Sequence, residues 1–217
     1  MTQGGRERRD VVFLVADGGM QQMLEGYLGR DYAHRGLGCG PFDFDPLDDV
    51  VVAPHRDPDV YGRHRGLLSL YQETHQRAIV MIDEDWEGTP GADAITTHIE
   101  RGMRQDWEAS SFAVIVLKPE LESWLWQENN PNIARELKVP SDYRQILEKS
   151  GHWPAAKRKP ARPKEALEYM KMHHGADQSN AAFRRLAGCI SIRGCIDPAF
   201  KLLRDTLCTW YPETTYS

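Results

Sequence analysis

Four short apolar runs constrain this chain more than anything else in it. Val11-Val12-Phe13-Leu14-Val15-Ala16, Val50-Val51-Val52-Ala53, Ala78-Ile79-Val80-Met81-Ile82 and Phe112-Ala113-Val114-Ile115-Val116-Leu117 are rich in β-branched residues and lack polar alternation. A strand reads this way when both of its faces are covered, as in a parallel sheet lying between helices. The segments between the runs carry a helical period. Met20, Met23, Leu24, Tyr27 and Leu28 predict a helix stopped by Gly29. Val60, Leu67, Leu68, Leu70 and Tyr71 predict a second within 59–73, and Ala94, Ile95, Ile99 and Met103 a third within 91–106. The Gly-, Asp- and Pro-rich stretch 30–46 reads as a loop. Strands alternating with helices argue for an α/β fold, a parallel Rossmann-like sheet with helices on both faces.

Beyond Trp126 the strand signal stops. Helices are expected over about 131–137, 141–150, 162–174, 178–189 and 197–210, interrupted by a Lys/Pro-rich connector from Trp153 to Pro163. The expected organisation is therefore an α/β domain over residues 1–128 and a helical, basic C-terminal extension over 129–217 packed on it. Charge divides the same way. Residues 151–217 hold eleven Lys/Arg against six Asp/Glu, whereas the first 150 hold sixteen against twenty-six. Acids that hold metal, joined to a basic tail that holds backbone phosphates, would suit a phosphate polymer; ordinary solvated helix faces would give the same count.

No run approaches the ~18 apolar residues of a membrane span, and Met1–Asp10 lacks the apolar core of a secretory signal. A cytoplasmic location with no membrane partner is the expectation. Cys39, Cys189, Cys195 and Cys208 form no CxxC pair and read as reduced thiols. His173 and His174 with Cys189 and Cys195 match no zinc spacing.

Acids gather where the strands end. In an open α/β sheet, ligands bind beyond the carboxyl ends of the strands. The first run ends at Asp17 and the third at Asp83-Glu84-Asp85; the fourth is followed by Glu120 and Glu122. In extended backbone Asp83 and Asp85 face one side together and Glu84 the other. Glu120 and Glu122 would not share a helix face, so only one of them is expected to reach the site. Crowded carboxylates repel and raise one another's pKa. A hard divalent cation, Mg²⁺ or Mn²⁺, relieves that cost and bridges to substrate phosphates. The bland alternative is a set of solvated loop acids and helix caps.

The pattern Phe13-Leu14-Val15-Ala16-Asp17-Gly18, then a helix, then Val80-Met81-Ile82-Asp83-Glu84-Asp85, resembles the TOPRIM domain of topoisomerases, primases and overcoming-lysogenization-defect nucleases. This likeness covers about residues 11–126. It implies that Asp17, Asp83 and Asp85 surround Mg²⁺. Asp83-Glu84-Asp85-Trp86-Glu87-Gly88, Pro119-Glu120-Leu121-Glu122-Ser123-Trp124-Leu125-Trp126 and the connector from Lys159-Pro160 to Pro163-Lys164 are together similar to a component of a methylation-associated anti-phage defence system. The first-strand acid of TOPRIM domains is normally Glu; Asp17 is one methylene shorter and departs from that pattern. No tyrosine is placed as a topoisomerase nucleophile, and no zinc-binding primase module is present.

DxD also marks metal sites of nucleotide-sugar transferases. A Walker loop and a Gly-x-Ser-x-Gly elbow are both missing. The connector 157–164 is the densest basic run, and Lys157, Lys159 and Lys164 are candidates for phosphate binding. Trp124 and Trp126 either stack on bases or, more commonly for such aromatics, pack a helix on the sheet. The resemblance implies an Mg²⁺-dependent phosphodiesterase or nuclease of anti-phage defence. Asp17, Asp83, Asp85 and Glu122 would be catalytic, and Asp17, Asp83, Asp85, Glu120 and Glu122 would ligate metal. Expected partners are nucleic acid (DNA before RNA), other proteins of a defence operon, and a second copy of the chain. The alternative is a catalytically silent adaptor of the same fold that binds nucleic acid or another defence component.

Overall fold

The first apolar run pairs along both edges, and this fixes the rest of the sheet. In the computed structural model, which describes residues 8–128, 130–191 and 195–213, β1 (Arg9–Val15) leads into α1 (Gly18–Leu28), α2 (Ala33–Leu37) and α3 (Pro46–Asp49). Then come β2 (Val50–Val52), α4 (Arg56–Leu68), β3 (His75–Asp83), α5 (Ala92–Met103) and β4 (Phe112–Leu117). The strands form one parallel sheet in the order β2-β1-β3-β4. Phe13 lies opposite Val50 on one side and Ile79 on the other, and Val80 opposite Val114. Val11 to Val15 and Ala78 to Ile82 are fully buried. With both faces covered, alternation has no physical basis, which is why these runs read as continuous. Each Val, Leu, Ile, Phe or Met among them stabilises the fold by roughly 1.5–3 kcal/mol.

The remaining helices are α6 (Pro131–Glu136), α7 (Tyr143–Lys149), α8 (Pro163–His174), α9 (Asn180–Cys189) and α10 (Pro198–Trp210). They share a core with the sheet. α9 packs along α1 so closely that a Cβ at Gly26 would lie 2.5 Å from both Ala187 Cβ and Arg184 O. Tyr27 of α1 meets Phe200 of α10 edge-on at 5.5 Å. Trp124 and Trp126 are buried: their indole N–H groups donate to Asp197 Oδ1 and Pro163 O, both at 3.0 Å. They pack the C-terminal helices onto the sheet domain.

Two local readings change. The stretch 30–46 is not all loop. It holds α2, stopped by Gly38 at φ 81°, and at its end Pro46 opens α3 behind the Asp45 cap. A five-residue helix is too short to show a period. The helix expected over 59–73 starts earlier, at Arg56, and ends at Leu68, with a 3₁₀ turn over Ser69–Tyr71. Four segments fall outside the described residues: Met1–Glu7, Asn129 beside the expected domain boundary, 192–194 with the Arg193 of the basic tail, and 214–217. Among the described residues no helix is long and apolar enough to cross a membrane. All four cysteines are free thiols.

Candidate metal centre

The strand order reverses between β1 and β3, since the chain leaves β1 towards β2 on one side and returns to β3 on the other. Such a switch point opens a crevice beyond the carboxyl ends of the two strands. Asp17 follows β1 and Asp83 ends β3, so both stand at this crevice. There the structure forms a cleft of about 700 Å³ lined by Asp17, Asp83, Asp85, Glu120 and Glu122, with Lys164.

Each acid is held by its own piece of backbone. Asp17 is the N-cap of α1, its Oδ1 accepting from Met20 N at 3.0 Å. Asp83 is half-buried, but its Oδ1 is fully enclosed and has no hydrogen-bond partner among the described residues. Asp85 is exposed at the cleft. Glu84 points elsewhere, with Oε1 accepting from Ala92 N at the start of α5. Glu120 and Glu122 both line the cleft, contrary to the expectation that only one would reach it. The reason is that Glu120 is extended, and the chain turns into a 3₁₀ helix only at Leu121–Trp124, so helix-face geometry does not apply. Glu120 Oε1 accepts from Lys164 N at 2.7 Å, which anchors the first turn of α8 to the site.

Asp57, on the first turn of α4, is a further acid not anticipated from sequence. Its Oδ1 accepts from Asp83 N at 2.9 Å, and it lines the same cleft. It follows the end of β2 at the interval by which Glu122 follows β4, five residues, and that spacing was a usable signal. All four strands thus deliver a carboxylate to one end of the sheet.

The electrostatics follow from this crowding. Burial pushes the Asp83 carboxyl well above the usual range, and Asp57, Glu122, Asp17 and Glu120 push it further. Burial and then Glu120 push Glu122 up to about 7. Burial raises Asp57, against the hydrogen bond from Asp83 N. Burial also raises Glu120, against the N–H and charge of Lys164. The basic candidates divide. Lys164 lines the cleft. Lys159 is turned inward, its Nζ donating to Ser123 O at 2.5 Å and lying 3.8 Å from Asp197. Lys157 is exposed on the connector, and neither it nor Lys159 lines the cleft.

An enclosed carboxylate oxygen without a partner, beside four further acids, is a donor set that a hard divalent cation satisfies. Among the described residues, no group of three or more His, Cys, Asp or Glu side chains is arranged to hold an ion as it stands. Asp17, Asp57 and Glu120 each accept a hydrogen bond from the backbone N–H of another residue.

Fold and cleft together define an α/β protein with an acidic crevice at the switch point of a parallel sheet. No known protein family matches the chain, and no solved structure does. A curated protein of Halorubrum lacusprofundi, described as an uncharacterized protein, is 46% identical over 35 residues. That stretch is 16% of this chain and 9% of the relative. The chain thus matches less than a tenth of the relative's length.

Proposed function

We propose that this chain is a phosphodiesterase, dependent on Mg²⁺ or Mn²⁺, that cuts nucleic acid in prokaryotic defence against phage, with DNA the first substrate to test. The observation that carries the reading is the enclosed, unpartnered Oδ1 of Asp83 at the switch point, with Asp17, Asp57, Glu120 and Glu122 close enough to raise its pKa. The TOPRIM resemblance of the Asp17-Gly18 and Asp83-Glu84-Asp85 segments supplies the reaction class and the defence setting. Asp17, Asp83 and Asp85 would hold the cation, with Glu120, Glu122 and Asp57 beside them. When bound, a divalent cation polarises the phosphate and stabilises charge on the attacking and departing oxygens. Glu122, whose carboxyl lies near neutrality in the cation-free cleft, is suited to exchange a proton with water at working pH. Lys164 contributes a positive charge for the phosphate at the mouth of the cleft.

A second reading rests on Asp17. Its carboxylate already caps α1, and it is shorter than the Glu of TOPRIM domains, so the fold can serve as a silent adaptor that binds nucleic acid or another defence protein. Purified protein with Mn²⁺ or Mg²⁺ and end-labelled DNA or RNA separates the two. Cutting that is lost in Asp83→Ala supports the enzyme. Absence of cutting, together with undiminished phage protection by Asp83→Ala, leaves only the adaptor.

A further inference from the structure

The cleft has a charge problem that its carboxylates cannot solve. Among the described residues lining it, eight side chains are carboxylates and two, Arg56 and Lys164, are permanent cations. A polyanion entering such a cleft is repelled until something positive meets its phosphates. A divalent cation cancels part of the acidity. The remaining attraction has to come from the two cations.

Arg56 has the position and the freedom for this. It opens α4, next to Asp57, and lines the cleft with exposed side-chain surface. Its guanidinium makes no hydrogen bond or ion pair with any described residue, although eight acids line the same cleft. By contrast, Arg9 is committed to Asp49, Arg63 to Asp59 and Arg65 to Asp106. The Lys164 Nζ likewise makes no hydrogen bond or ion pair with a described residue, though its charge acts on Glu120 and Glu122, while its backbone N–H is fixed by Glu120. The two cations come from different parts of the chain, one from the start of α4 and one from the first turn of α8. A planar guanidinium binds two oxygens of one phosphate in a fixed fork, which an ammonium cannot do.

We propose that Arg56 is a substrate-binding residue that grips a phosphate of the nucleic-acid backbone at the acidic cleft, with Lys164 holding a second phosphate of the same strand. This deepens the phosphodiesterase reading and rests on it. The backbone at Arg56 offers a clean control. Its φ of 56° is left-handed, a conformation glycine adopts freely and arginine does not. Arg56→Gly therefore removes the guanidinium while relieving the backbone, and the melting temperature is kept or raised.

The test measures binding of a fluorescent oligonucleotide in Ca²⁺ across a salt series, and cleavage kinetics in Mn²⁺. Wild type is compared with Arg56→Ala, Arg56→Gly, Arg56→Lys and, on the last turn of α5, the charge-matched control Arg101→Ala. Both Arg56→Ala and Arg56→Gly are expected to raise KM about tenfold, leave kcat within about twofold, and flatten the log–log salt slope by about 0.7–0.9, the value of one phosphate contact. Arg56→Lys keeps the slope and recovers part of the affinity; Arg101→Ala matches wild type. If wild type cuts in an Asp83-dependent way but Arg56→Gly has an unchanged KM and salt slope, this inference falls and the phosphodiesterase reading stands. If wild type neither binds nor cuts DNA or RNA, both fall.

Discussion

Replacing Glu122 by Gln should stabilise the cation-free protein at alkaline pH, against the usual expectation for a mutation in a folded site. Burial and the neighbouring Glu120 hold this carboxyl at about 7 in the folded chain, against an ordinary value of 4.5. Between those pH values the folded chain keeps a proton that the unfolded chain has released. Unfolding free energy therefore falls as pH rises through the window. The full gap is worth about 3 kcal/mol, and solvent reaching this half-buried side chain lowers it towards about 2 kcal/mol. A neutral amide of the same shape does not incur that cost. For a chain of this size, 1 kcal/mol moves the melting temperature by roughly 2–4 °C. Glu122→Gln should thus melt about 5–10 °C above wild type at pH 8 in EDTA, and together with it near pH 4.5. Thermal melts at three pH values read this directly. Saturating Mn²⁺ should close the gap, because an ion at a hundredfold excess over its Kd contributes about 2.7 kcal/mol to wild type and less to a site missing one carboxylate. A difference between variant and wild type that is the same at pH 4.5 and pH 8 would refute the crowding argument. Equal Mn²⁺ stabilisation of both proteins would remove Glu122 from the cation site.

Other perturbations test the fold and site separately. Asp83→Ala should abolish metal-dependent cleavage while leaving the cation-free protein at least as stable at pH 8, measured by nuclease assay and melting on one preparation. Asp49→Ala should cost roughly 3–5 kcal/mol in urea denaturation. Burial raises the cost of this carboxylate, but hydrogen bonds from Arg9, His75 and Asp45 N hold its pKa below the usual range, and removal leaves His75 Nε2 without this partner and Arg9 with only the more distant Asp48. Gly26→Ala should cost about 1–3 kcal/mol by forcing α9 away from α1, with a loss of less than 0.5 kcal/mol contradicting the packing described.

Much of the fold was legible because local sequence carries it. Unbroken apolar runs report strands covered on both faces, and the run at Phe112–Leu117 matches β4 residue for residue. α2 and α3 were missed because four or five residues cannot display a 3.6-residue period. In the site, the acids immediately after β1 and β3 were visible from chain order alone. Asp57 stands five residues beyond a strand of only three, so its spacing was a weaker signal than an acid directly at the strand end. Arg56 was overlooked for a related reason: its value lies in being unpaired, and pairing is a property of neighbours in space. Lys159, on the densest basic run of the sequence, is instead tied to Ser123 O and faces Asp197.

By itself, the sequence determined that this chain builds a parallel sheet between helices and that acids follow its strands, since hydrophobic period and strand-end composition are local properties. Only the tertiary structure decided the strand order β2-β1-β3-β4, which puts the switch point between Asp17 and Asp83. It also brought Asp57 and both Glu120 and Glu122 to the same cleft and set the first turn of α8 against it. Those outcomes depend on which distant surfaces bury each other, and solvation and charge crowding then set the chemistry of each carboxyl. No single stretch of chain contains that information.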